Sequence, residues 1–273
     1  MSYKVIFFTT CKPFIGDDAW RQEQAIKSWT LLTGAEIKII IIGNDKGTKE
    51  ICDKYNLIHE PNITTLQNIP YLHEMFVIAN KYADSNDVMI WTNSDMIYFQ
   101  HMIDIIQSFK GKYVDLKNYA LVGRRIDWFN PSILESFDYD KFANNINMHS
   151  KQSVIISHKS SNKYECAYHA ECGIDYFIHS PTTVINNIDK NLVIAGTRHD
   201  MILVGMAIFK KFYTCNIGIA NQCIHQNHNN IQGHNAHVSS LCRDLINNNK
   251  KCKGDMKEIT NCKYRIKDNL EFP

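Results

Sequence analysis

The sequence predicts an α/β fold: a single domain on a mostly parallel central sheet with helices on both faces. Three observations carry this. Val5-Ile6-Phe7-Phe8, Ile39-Ile40-Ile41-Ile42 and Val88-Met89-Ile90-Trp91 are apolar runs of strand length without polar alternation, the pattern of strands buried on both faces. Helix-like segments separate them, and a repeating strand–helix order is that of a parallel, doubly wound sheet. The chain of 273 residues, 44% hydrophobic and 21% charged, is long and apolar enough to bury a sizeable core.

Taken in order, residues 5–10 read as the first strand, and Pro13 and Gly16 mark a loop after it. Trp20, Ile26, Trp29 and Leu32 recur at roughly helical spacing and stop at Gly34. A strand at 37–42, a short helix at 48–55 and an edge strand at 57–59 follow. A helix at 72–83 leads into the strand at 88–92, and a helix at 101–110 into the strand at 119–123. The second half resumes with a strand at 173–178, an apolar helix at 201–212 and a strand at 213–220. Between them, 130–163 is polar and aperiodic, longer than an ordinary connection, and is expected to act as a lid. The organisation expected is a first half at 1–128, a second half at 129–240 and a polar tail at 241–273.

The formal net charge of +2 excludes a strongly basic nucleic-acid footprint. No apolar run is long enough to span a bilayer, and Met1-Ser2-Tyr3-Lys4 has no signal-peptide pattern, so a cytoplasmic protein without a transmembrane segment is expected. The 9 cysteines, an odd number, are expected to be reduced thiols rather than a disulfide framework. Cys223, His225, His228, His234 and His237 lie close together, but no second cysteine pair completes a standard zinc pattern.

The stretch that points to chemistry is Asn93-Ser94-Asp95, a polar tip where a buried strand ends. Open α/β sheets bind ligands outside the carboxyl ends of their strands. An amide carbonyl and a carboxylate two residues apart suit a hard cation, Mn²⁺ or Mg²⁺. The plainer alternative is that Asp95 caps the helix at 101–110. Arg124-Arg125 followed by Asp127 ends another buried strand on the same edge, where a surface ion-pair cluster is the competing reading.

Several stretches together resemble the GT-A fold of nucleotide-diphospho-sugar glycosyltransferases. They are Phe7-Phe8-Thr9-Thr10 with Lys12-Pro13-Phe14, Gln24 to Trp29, Ile42-Gly43-Asn44-Asp45, Asn93-Ser94-Asp95 and Val122 to Asp127. The resemblance covers about residues 4–228, with Asn-x-Asp in place of the family's Asp-x-Asp. It implies a metal-dependent transfer of sugar from a nucleotide-diphospho-sugar, a UDP-sugar by default, to a glycan or protein acceptor. Thr9, Thr10 and Lys12 would line the nucleotide, Asp45 would meet the base or ribose, and Asn93 the ribose or metal. Asp95 would bind the metal, with His228 (or His225) completing its site, and Arg124 and Asp127 would contact donor phosphate or sugar. Asp200 falls where inverting members keep the general base, although it also stands where a cap for the helix at 201–212 belongs.

The chemistry is consistent with these roles: a divalent ion neutralises a leaving diphosphate, a carboxylate activates an acceptor hydroxyl, and Arg suits phosphate. Asn93→Asp, which restores the commoner carboxylate pair, is expected to be tolerated. Two other readings stay open. A sugar-phosphate nucleotidyltransferase normally opens with a Gly-rich loop, which Thr9-Thr10-Cys11-Lys12-Pro13 lacks. An inactive carbohydrate- or nucleotide-binding module would be consistent with the missing charge at Asn93.

Overall fold

Phe7 and Phe8 are neighbours in one strand, yet they belong to opposite cores. In the computed structural model, which describes residues 3–128, 166–169, 173–181, 185–194, 199–218, 223–226, 259–266 and 272–273, that strand is β1 (Lys4–Thr9). Its neighbours are β2 (Glu36–Ile42) and β6 (Val88–Thr92), both parallel to it. Successive side chains of a strand point to opposite faces. Val5, Phe7, Ile39, Ile41, Val88 and Ile90 therefore pack under α1 (Gly16–Thr30), α2 (Thr48–Tyr55) and α4 (His101–Lys112). Ile6, Phe8, Ile40, Ile42, Met89 and Trp91 pack under α3 (Leu72–Asn80) and α5 (His199–Phe209). Both faces are covered, which is why these strands read as continuous apolar runs.

The remaining strands are β3 (Ile58–Glu60), β4 (Thr65–Leu66), β5 (Ile69–Pro70), β7 (Met96–Ile97), β8 (Tyr119–Gly123), β9 (Ile126–Trp128), β10 (Cys166–Tyr168), β11 (Tyr176–His179), β12 (Tyr213–Gly218), β13 (Ile224–Gln226) and β14 (Tyr264–Arg265). The large sheet has the order β14-β12-β8-β11-β6-β1-β2-β3, and β11 is its antiparallel member. The fold is thus α/β with a mostly parallel sheet between two helical layers.

A smaller sheet, β10-β9-β13-β7, was not foreseen in the sequence. It has a simple origin: β7 continues from the carboxyl end of β6, β9 from that of β8, and β13 from that of β12. Three strand ends of the large sheet therefore feed side chains into one region.

Trp29 holds the first of these exits in place. Its indole Nε1 donates to the Met96 carbonyl at 2.7 Å, and its ring stacks on Phe7 at 5.6 Å. Trp29→Ala would cost about 3–5 kcal/mol through the cavity it leaves.

Within the segment read as a polar tail, β14 pairs with β12, and Phe272 is buried. Strands from both sides of residue 128 share one sheet. The lid expected at 130–163 lies outside the described residues. Cys11, Cys52, Cys215, Cys223 and Cys262 are free thiols. No described helix is long and apolar enough to cross a membrane.

Candidate active site

The loops after β1 and β2 meet at the carboxyl edge of the sheet. Phe14 N–H donates to the Lys46 carbonyl at 2.7 Å, and Phe14 packs against Gly47 so closely that a Cβ there would stand 2.6 Å from the Phe14 Cβ. With φ at +88°, position 47 needs glycine on both counts. Thr9 is fully buried, and its hydroxyl donates to the Thr92 carbonyl at 2.6 Å, tying β1 to β6 just before the Asn93 turn. Thr10 is partly exposed beside Gly43, and Asp45 is exposed in the β2–α2 loop. The Lys12 ammonium lies 3.5 Å from Asp18.

Gln22, buried on α1, organises this loop. Its Oε1 accepts from the Lys12 N–H at 2.7 Å and from the Ser94 hydroxyl at 2.9 Å, while its Nε2 donates to the Lys12 carbonyl at 3.0 Å. One amide thereby joins the first loop to the Asn93-Ser94-Asp95 turn. Gln226 does a parallel service, its Nε2 donating to the backbone carbonyls of Arg21 (2.8 Å) and Asp95 (3.1 Å).

The turn itself opens onto a cluster of charged groups from five segments. Asn93 Nδ2 donates to Asp175 Oδ1 at 2.9 Å, and Asn93 N–H donates to the Asp175 carbonyl at 3.0 Å. Asp175 holds a left-handed backbone (φ +52°), a conformation that Asp tolerates better than most residues. Arg125 pairs with Asp175 and, through Nε at 2.8 Å, with Asp127 Oδ1. His169 Nδ1 lies 2.6 Å from Asp127 Oδ2, and Arg124 Nε donates to the His169 carbonyl at 2.8 Å. His225 bridges the two halves: its Nε2 is 3.4 Å from Asp95 Oδ2 and its Nδ1 3.4 Å from Asp127 Oδ1.

Electrostatics follow from this packing. Burial works against the Asp127 carboxylate, but hydrogen bonds from His169 and His225 and the charge of Arg125 hold it well below the usual range. Burial and Arg125 oppose a charged His225, and Asp95 and Asp127 outweigh them, so its pKa is raised.

The predicted residues thus separate by position. Asn93, Asp95, Arg124 and Asp127 converge in one cluster. Asp95 is not the cap of α4: the residue before that helix is Gln100, and no side chain caps it. Asp200 is buried in the first turn of α5, its Oδ1 accepting the Met201 N–H at 2.8 Å. His228 lies outside the described residues. Arg125 is legible in the sequence only as part of the run Arg124-Arg125 before Asp127, and His169 and Asp175 carry no local signal.

For a divalent cation, Asp95 and His225 present one carboxylate and one imidazole, a donor pair compatible with Mn²⁺. No three His, Cys, Asp or Glu side chains among the described residues form a group able to hold a metal.

No protein-family model matches the chain, and no curated protein sequence matches it. Solved structures do. Glucosyl-3-phosphoglycerate synthase from Mycobacterium tuberculosis, in complex with Mn²⁺, UDP and phosphoglyceric acid, aligns at 10% identity with a TM-score of 0.48, over 90% of this chain and 76% of that one. TarS 1–349 from S. aureus aligns at 16% identity with a TM-score of 0.35 over 46% of this chain. The alignment spans only 36% of the TarS chain. Mannose-6-phosphate isomerase from Helicobacter pylori aligns at 14% identity with a TM-score of 0.36.

Proposed function

We propose that this protein is a metal-dependent glycosyltransferase that moves a sugar from a nucleotide-diphospho-sugar, a UDP-sugar by default, to a glycan or protein acceptor. The observation that carries the reading is the meeting of Asp95 and His225 beside the Asn93 turn, at the sheet edge where the β1 and β2 loops also end. That edge is where open α/β sheets bind their ligands.

In this reading Thr10, Lys12 and Asp45 line the nucleotide, and buried Thr9 fixes the strand end behind them. Asp95 with His225 or His228 holds Mn²⁺ or Mg²⁺, which when bound neutralises the charge on the leaving diphosphate. Arg124 and Asp127 face donor phosphate and sugar, and Arg125 holds Asp127 and Asp175 in position. Asp200 takes the proton of the acceptor hydroxyl.

A thermal-shift screen of sugar nucleotides with and without Mn²⁺ tests the proposal. The donor is expected to raise the melting temperature when Mn²⁺ is present and to do little in EDTA. Turnover then separates a transferase from an inactive binding module, and release of pyrophosphate from a nucleoside triphosphate would mark a nucleotidyltransferase instead. Full transfer activity in EDTA overturns the metal role.

A further inference from the structure

We propose that a cavity at the amino-terminal edge of the large sheet binds a small oxyanion through Lys110 and Tyr119. The cavity is open to solvent on one side and offers about 190 Å³, against the roughly 10–15 Å³ that one water needs by the same measure, so a phosphate- or carboxylate-sized ion has room. Four segments meet around it: the turn before β6 brings Asn86 and Asp87, α4 brings Lys110, β8 brings Tyr119, and Ser180 follows the end of β11.

The wall carries charges of both signs, Asp87, Asp115, Lys110 and Lys117, and two of its donors are short of acceptors. Lys110 is buried, and its ammonium donates to Asn86 Oδ1 at 2.7 Å, a neutral acceptor, and rests 5.8 Å from the Tyr3 ring centroid. An ammonium has three N–H donors and no acceptor. Tyr119 is 1% exposed, and its hydroxyl has no hydrogen-bond partner among the described residues. A buried polar group without a partner is costly, and native structures normally supply one.

The carboxylates of the wall do not answer this demand. Asp87 is committed elsewhere: it accepts the Lys4 and Asp84 backbone N–H groups, each at 2.8 Å, and pairs with the Lys4 ammonium at 3.2 Å. Asp115 is exposed at the rim. Burial lowers the Lys110 pKa, with Asp87 and Asp115 opposing from further away. Among the described residues neither carboxylate accepts a hydrogen bond from the Lys110 ammonium or the Tyr119 hydroxyl, and an oxyanion would supply an acceptor to both.

This site is separate from the proposed donor site. Asp87 precedes β6 and Asn93 follows it, so the length of the strand, roughly 16 Å at 3.3 Å per residue, lies between them.

The test is an NMR titration of the whole chain with inorganic phosphate and, separately, acetate, against chloride at matched ionic strength. Saturable shifts at the amides of residues 85–87 and 110–119 are expected with at least one oxyanion, and the stronger response tells a phosphate ligand from a carboxylate one. Tyr119→Phe keeps the ring in place and is expected to weaken binding about fivefold to tenfold, one hydrogen bond's worth. Lys110→Met is expected to abolish binding and leave donor binding unchanged. No saturation with either ion up to about 50 mM, a range that already includes weak ligands, overturns the proposal. Saturation that survives both substitutions overturns it as well, since the ion then sits elsewhere.

Discussion

The amide at position 93 donates a hydrogen bond that a carboxylate could not make. Asn93 Nδ2 faces Asp175 Oδ1 at 2.9 Å, so an aspartate there would set two carboxylates together beside the Arg125 guanidinium that pairs with Asp175. The sequence alone led to the opposite expectation, because it showed the missing charge of the motif and not the partner across the fold. Asn93→Asp is therefore expected to lose about 1–3 kcal/mol, the cost of a broken part-buried hydrogen bond with like charges added. Asn93→Asp combined with Asp175→Asn recreates the donor–acceptor pair with its members exchanged and should recover most of the loss. Urea unfolding of the three variants checks this, and an Asn93→Asp protein as stable as wild type would refute it. Asp200 is decided at the same scale. Asn at 200 keeps an oxygen to accept the Met201 N–H, so Asp200→Asn should fold and bind donor normally while transfer falls roughly a hundredfold. Retention of most of the transfer rate would leave Asp200 a purely structural residue of α5.

At the scale of elements, α1 organises the edge of the sheet. Gln22 makes three hydrogen bonds from one side chain, two to Lys12 and one to Ser94. Gln22→Leu leaves the Lys12 N–H and carbonyl unpaired, and the expected result is loss of amide protection at Lys12 by hydrogen exchange with a donor KM raised about tenfold. Unchanged protection at Lys12 would show that the loop is held by other contacts. The same elements explain what was legible in the sequence. Asn93, Asp95, Arg124 and Asp127 stand just after unmistakable buried strands, so their common edge followed from the parallel arrangement alone. His169, Asp175 and His225 join them through the smaller sheet and through β11, pairings between segments as distant as 127 and 225 that no local periodicity encodes. The ring that bridges Asp95 and Asp127 is therefore a tertiary fact.

For the molecule as a whole, the two-faced core was readable and the direction of β11 was not, because a buried strand has the same apolar pattern whichever way it runs. That antiparallel strand carries a consequence for stability. His179, its last residue, lies 2% exposed in the middle of the sheet, stacked on Phe76 at 5.0 Å and edge-on to Phe8 at 6.0 Å. Its Nδ1 donates to the Ser180 carbonyl at 2.8 Å. Burial lowers its pKa from 6.5 to about 4, the Ser180 carbonyl opposing only in part. As pH falls through 6.5, the unfolded chain takes up a proton that the folded chain refuses until about pH 4. The unfolded state binds more protons throughout that window, so stability is full above pH 6.5 and declines on acidification. The shift predicts a loss of about 2–3 kcal/mol between pH 7.5 and 4.5 from this one ring. Other groups titrate over the same range, so the quantity to measure is the difference between wild type and His179→Gln in urea unfolding at each pH. That difference should shift in favour of His179→Gln by about 2–3 kcal/mol on going to pH 4.5, whatever the offset at pH 7.5. Parallel stability curves for the two proteins would mean that His179 is protonated in the folded state at no cost, and that its place in the core does not exclude charge.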